Sequence, residues 1–151
     1  MIRHADGSGR TAVRIAHANG TDEILSFDDI AAGSARFAHW LVENGIKPGD
    51  RIAFMLEPSL PFYISLFGAM MMGAISVPLF TLFGLDGLRL RVDDCKPQLL
   101  VTNAEKADVA NQIEGVRVVV ADAGLLDEIK RFPSSYKTMT RADDLAVFQY
   151  T

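Results

Sequence analysis

The sequence predicts an α/β fold, a mainly parallel sheet with helices on both faces, and three observations carry that expectation. Apolar runs at 51–56, 74–77, 98–102, 116–121 and 145–150 are separated by stretches with helical spacing. The runs are continuously apolar rather than alternating, the pattern of strands covered on both faces. The chain has 151 residues, 49% hydrophobic and 23% charged, which suits one globular domain with a sizeable core.

Each element has its own signal. Residues 12–16 and 23–25 flank the turn formers Asn19, Gly20 and Thr21, which predicts a hairpin. Ser26 followed by Asp29 resembles a capping box, and Phe27, Ile30, Ala31, Ser34, Ala38 and Leu41 then recur at helical spacing. Arg36, His39 and Glu43 fall on the opposite, wet face, and Gly45 suits a left-handed helix terminator. Lys47-Pro48-Gly49-Asp50 forms a turn into the strand 51–56. The expected order is then helix 59–72, strand 74–77, helix 85–94 and strand 98–102. Asn103 caps a helix to about 113, followed by strand 116–121, helix 125–131, a flexible loop at 132–140 and a last strand at 145–150.

Several function classes are excluded. The net charge of −4, without a dense basic stripe, argues against nucleic acid as a partner. Residues 58–85 carry no charge, enough length to raise a membrane span, but Pro58, Pro61, Gly68, Gly73, Pro78 and Gly84 punctuate them. A buried helix followed by a buried strand explains that hydropathy better, so no span is expected. Cys95 is the only cysteine, which rules out an internal disulfide and suits a reducing cytoplasm. The amino terminus lacks a signal-peptide core, so a cytoplasmic location is expected.

The candidate chemistry is sparse. Open parallel sheets bind ligands at the carboxyl ends of their strands. A dinucleotide fold needs a Gly-x-Gly-x-x-Gly turn there, but the first central strand is followed by Glu57, Pro58 and Ser59. Gly7-Ser8-Gly9 lies in a polar terminus and reads as a flexible tail. The pairs Asp28-Asp29, Asp93-Asp94 and Asp143-Asp144 raise a phospho-accepting receiver domain, yet their positions suit capping or solvation instead. His4, His17 and His39 are scattered, with His39 read as a surface residue, and no nucleophile setting is recognisable. Cys95 and the run Met70, Met71 and Met72 with Phe67 read as packing residues.

Asn44-Gly45-Ile46-Lys47-Pro48-Gly49-Asp50-Arg51-Ile52-Ala53 resembles the Gly-x-x-x-Gly-Asp-x-Val segment of the adenylate-forming, AMP-binding superfamily. Gly68-Ala69-Met70-Met71-Met72-Gly73-Ala74-Ile75-Ser76-Val77-Pro78-Leu79 is similar to its Gly-Ala-x-x-x-Gly-Ala-x-x-Val-Pro-Leu block. The helix ending at Cys95 with the strand 98–102, and Asp143-Asp144-Leu145-Ala146 with Gln149-Tyr150-Thr151, resemble two further family segments in the correct order. The stretch 77–84 looks more like the acyl-CoA synthetase branch than the amino-acid-activating one.

The resemblance implies an acyl-CoA-synthetase-like fold and a two-step reaction that uses ATP, Mg²⁺ and CoA. A carboxylic acid is adenylated, and the thiol of CoA then displaces AMP. Residues 1–10 read as a flexible terminus from their polar composition, and the resemblance further implies that 11–151 are an amino-terminal subdomain truncated before the phosphate loop. On that reading no catalytic or metal-binding residue lies in this segment, which is inert alone and forms a homo-oligomer in isolation. Thr151 is the one nucleotide phosphate-binding candidate, because it matches the threonine at the mouth of the family's phosphate loop. By the same analogy the loop 79–88 faces the CoA channel. The alternative is a stand-alone, non-catalytic binding or assembly module derived from the family. Aliphatic and aromatic acids both stay open.

Overall fold

Ser26 sets where the first long helix begins. In the computed structural model, which describes residues 2–150, its hydroxyl accepts from the Asp29 amide at 3.0 Å while the Asp29 carboxylate reaches back to the Ser26 amide. This is the expected capping box, with Asp in place of Glu. Ahead of it, β1 (Thr11–Ala16) and β2 (Asp22–Ser26) form the antiparallel hairpin, and α1 (Phe27–Glu43) follows. Residues 2–10 lie against the start of α1: the Gly7 and Gly9 amides donate to the two Asp28 carboxylate oxygens at 2.9 and 2.8 Å.

The remaining elements alternate: β3 (Arg51–Met55), α2 (Leu60–Met72), β4 (Ile75–Pro78), α3 (Leu85–Cys95), β5 (Leu99–Thr102), α4 (Ala104–Ala110), β6 (Arg117–Val120) and α5 (Ala123–Ile129). The four central strands pair in parallel in the order β4-β3-β5-β6. Alternation within the strands divides the core. Ile52, Phe54, Leu99 and Val101 pack beneath α1, α2 and α5, whereas Ala53, Met55 and Leu100 pack beneath α3 and the end of α4. Helices therefore cover both faces, and the strands are continuously apolar for that reason.

Three expectations change. The strand over 145–150 does not form: only Val147 bridges Ser76, at the β4 edge, through the Ser76 amide to the Ala146 carbonyl and the Phe148 amide to the Ser76 carbonyl. The helix after Asn103 stops at Ala110, because the following residues turn so that Ile113 can enter the core beneath α3. His39 is not a bare surface residue. Its Nε2 lies 2.9 Å from the Ser135 carbonyl and its ring stacks on Phe132 and meets Tyr136 edge-on.

The uncharged stretch resolves as anticipated into a helix and a strand. At 13 residues α2 is about 20 Å long, short of the ~30 Å hydrocarbon core of a bilayer. Among the described residues, no helix is long and apolar enough to cross a membrane.

Candidate functional site

The sheet order determines where a ligand can approach. The chain leaves β3 leftwards to β4, then returns past β3 to β5 and β6. The connections leaving the carboxyl ends of adjacent strands β3 and β5 thus run to opposite sides, which opens a crevice between them. Its rim is built from the segment 56–59 after β3, the segment after β5 that begins at Asn103, and the loop 79–84 after β4.

The polar groups at this end are engaged in holding the scaffold. Ser59 Oγ accepts from the Phe62 amide at 3.3 Å and donates to the Glu57 carbonyl at 3.0 Å, capping α2. Asn103 Oδ1 accepts from the Lys106 amide at 3.0 Å, and Asp122 Oδ1 accepts from the Leu125 amide at 3.0 Å. The buried Thr102 hydroxyl donates to the Met55 carbonyl at 3.1 Å and ties β5 to β3. Glu57 receives the hydroxyl of Thr81, so the loop after β4 is latched to the loop after β3. Among the described α-helices, only α3 starts without a side-chain cap, at Gly84.

Loop 79–84 presents apolar surface: Phe80 is 69% and Leu82 89% exposed. Behind it, the Arg91 guanidinium carbon sits 3.7 Å from the centre of the Phe83 ring and 5.5 Å from that of Tyr150. The Tyr150 hydroxyl donates to Asp94 Oδ2 at 2.7 Å. Burial, reinforced by that carboxylate, pushes the Tyr150 phenol well above its ordinary value. Burial likewise raises the Cys95 thiol, so Cys95 stays a packing residue and not a thiolate nucleophile.

Each acidic pair has at least one member engaged locally. Asp28 holds the Gly7 and Gly9 amides, Asp29 closes the capping box, Asp94 takes the Tyr150 hydroxyl, and Asp144 accepts from the Arg141 amide at 2.7 Å. Among the described residues, no three His, Cys, Asp or Glu side chains converge to hold a metal ion. Thr151 lies outside the described residues. A recess of about 310 Å³ lies at the opposite end of the sheet, where Pro48, Gly73 and Ile75 meet Met139 and Asp144, away from the strand ends where such folds bind ligands.

Sequence reasoning missed the Arg91, Asp94 and Tyr150 group. The partners are 56 to 59 residues apart, and neither the spacing nor the composition of either segment signals the contact.

Comparison with known proteins gives this geometry a family. The model of the family described as AMP-binding enzyme matches residues 3–151. The chain is 30% identical over 128 residues to feruloyl-CoA synthase of Amycolatopsis sp, covering 84% of this chain and 26% of that protein. It is 32% identical over 108 residues to the nonribosomal peptide synthetase ungA' of Aspergillus campestris, covering 72% of this chain and 1% of that protein. The crystal structure of Brucella canis acyl-CoA synthetase superposes with a TM-score of 0.85 at 25% identity, over 97% of this chain and 29% of that one. The chain thus spans about a quarter of the feruloyl-CoA synthase it matches, and far less of the peptide synthetase. With the match extending from residue 3 to residue 151, and with the parallel sheet and its flanking helices matching the amino-terminal part of an acyl-CoA synthetase, this chain belongs to the AMP-binding enzyme family.

Proposed function

We propose that these residues form the amino-terminal scaffold of an ATP-dependent carboxylate:CoA ligase. The observation that carries the reading is the structural match: 97% of this chain aligns with only 29% of an acyl-CoA synthetase, so the chain corresponds to one part of a larger catalytic fold. In the proposed reaction a carboxylate oxygen attacks the α-phosphorus of ATP and pyrophosphate leaves. The CoA thiol then attacks the acyl carbonyl, and AMP leaves.

This chain contributes position to both steps. The sheet aims its carboxyl-terminal crevice at the nucleotide, and the Glu57 to Thr81 latch holds the loop 79–84 beside it, where that loop lines the path of CoA. Thr151 supplies a hydroxyl to a phosphate oxygen. The charge-neutralising groups for the transferring phosphate come from sequence other than these residues, because the polar side chains at the crevice already cap helices or tie strands.

Two measurements test the reading. Carboxylate-dependent ATP–pyrophosphate exchange is expected for a full-length protein carrying these residues and is expected to be absent for residues 1–151 alone. Exchange by the 151-residue chain would overturn the assignment of its residues to a scaffold. Exchange by neither would favour a non-catalytic module. The exposed Phe80, Leu82, Leu90, Leu145 and Phe148 support self-association of the isolated chain. Light scattering is expected to give a dimer or larger species, and a clean monomer at high concentration would refute that expectation.

A further inference from the structure

The segment 145–150 has few attachments. One bridge, between Val147 and Ser76, ties it to the sheet, and the side chains of Leu145, Val147 and Phe148 stay exposed. A chain held at one bridge can swivel about it; a second attachment fixes its direction. That second attachment is Tyr150. Its hydroxyl donates to Asp94 Oδ2 at 2.7 Å, with the Arg91 carbonyl a longer acceptor at 3.2 Å. The centre of its ring lies 5.5 Å from the Arg91 guanidinium carbon, which also rests 3.7 Å from the centre of the Phe83 ring. The Arg91 Nη1 is itself held by the Gly87 carbonyl at 2.9 Å, within the first turn of α3.

Helix α3 therefore grips two separate pieces of chain through one arginine and one aspartate. One is the loop after β4, through Phe83. The other is the segment that leads to Thr151, through Tyr150. We propose that Tyr150, Asp94 and Arg91 form a clamp that positions the approach to the phosphate-binding residue and fixes it relative to the loop 79–84. The clamp rests on the ligase reading for its functional consequence, since Thr151 is the nucleotide contact only in that reading. Its geometry stands on its own contacts. Tyr150, Asp94 and Arg91 touch no reacting atom in this scheme; they are positioning residues.

A merely structural contact would lower stability and activity together. A positioning contact acts on nucleotide binding, so it separates KM from kcat. Losing one hydrogen bond to a charged acceptor corresponds to about a tenfold effect. In a full-length protein carrying these residues, Tyr150→Phe and Asp94→Ala are each expected to raise the KM for ATP in pyrophosphate exchange by about tenfold. The kcat should change by less than about twofold. Asp94→Asn keeps an oxygen acceptor and is expected to give a distinctly smaller rise than Asp94→Ala. The double variant should be no worse than either single one, because both remove the same contact.

Hydrogen exchange on the 151-residue chain tests the clamp without reference to catalysis. The Phe148 amide, which donates to the Ser76 carbonyl, is expected to exchange about tenfold faster in Tyr150→Phe, with β3 and β5 unchanged. Unchanged protection of the Phe148 amide would overturn the clamp whatever the enzyme does. An active wild-type enzyme whose KM for ATP ignores both substitutions would overturn its positioning role. An inactive wild-type enzyme with faster exchange in the variant would sink the ligase reading and leave the clamp standing.

Discussion

The seam between α1 and α2 offers the sharpest test of how the scaffold is packed. Gly68 lies in α2 where the two helices cross. A Cβ added there would lie 2.7 Å from the Ser34 backbone carbonyl oxygen and 3.0 and 3.1 Å from two atoms of Phe37. The oxygen belongs to the backbone of α1, so no side-chain rotation relieves the contact and the helices must separate by several tenths of an ångström. Overpacking of this kind costs about 1–3 kcal/mol, and a clash with backbone belongs at the upper end. Replacing glycine by alanine inside a helix returns about 1 kcal/mol of propensity. Gly68→Ala is therefore expected to destabilise the chain by about 2 kcal/mol. Trp40 is the only tryptophan, is 4% exposed and stacks on Phe37 with ring centres 5.5 Å apart, so its fluorescence reports on this seam. Urea unfolding followed at Trp40 should show a midpoint lower by about 1 M at an unchanged slope. A midpoint equal to or above that of the parent chain would refute the close approach.

Three further outcomes follow from neighbouring features. At Gly87 an added Cβ meets nothing closer than 3.6 Å and the residue is helical, so Gly87→Ala should stabilise by about 0.5–1 kcal/mol, read by the same unfolding curve. Ser26→Ala removes half of the capping box at α1 and should cost about 1 kcal/mol, whereas Ser26→Asn or Ser26→Asp should recover most of it. Burial raises both the Cys95 thiol and the Tyr150 phenol above their unfolded values, so the folded state favours their protonated forms. That contribution is fully present below the unfolded value of about 8.5 for the thiol and is lost as pH rises through the folded value. Urea midpoints should hold to about pH 8 and fall above about pH 9, with a shallower fall in Cys95→Ala; an alkaline slope identical in that variant would count against the buried thiol.

The fold was legible because each central strand carries its own signal. The runs at 51–56 and 98–102 are apolar on both faces, and in the structure Ile52, Phe54, Leu99 and Val101 face one helical layer while Ala53, Met55 and Leu100 face the other. Ser26 and Asn103, read as caps in the sequence, do cap the helices that follow them, whereas the sequence reading gave no capping role to Ser59, which caps α2, or to Gly73, which ends it with a φ of 91°. The last strand was misread because apolar composition over 145–150 indicates a preference for extended backbone, whereas a strand also needs a partner along its length. Here the backbone of 146–148 meets only Ser76, and the aromatic ring of Tyr150 turns toward α3 instead. His39 was misread for a related reason. Its helical position placed it on the wet side of α1, but Phe132 and Tyr136 arrive from almost a hundred residues away and cover it.

The site was less legible than the fold, and the structure gives the reason. A side chain that caps a helix or ties two strands already has at least one polar atom committed. Ser59, Asn103, Thr102 and Asp122, the polar residues that the topology brings to the ligand-binding end, are all committed in this way. Such residues look like candidate ligands in a sequence, since the same hydroxyls, amides and carboxylates serve both purposes, and only the contacts separate the two roles. The exception is the group on α3, where Arg91 and Asp94 reach out of their own helix to Phe83 and Tyr150. Those two side chains extend to other parts of the chain, so a change at either is transmitted to the loop 79–84 and to the approach to Thr151, which caps confined to their own helices cannot do.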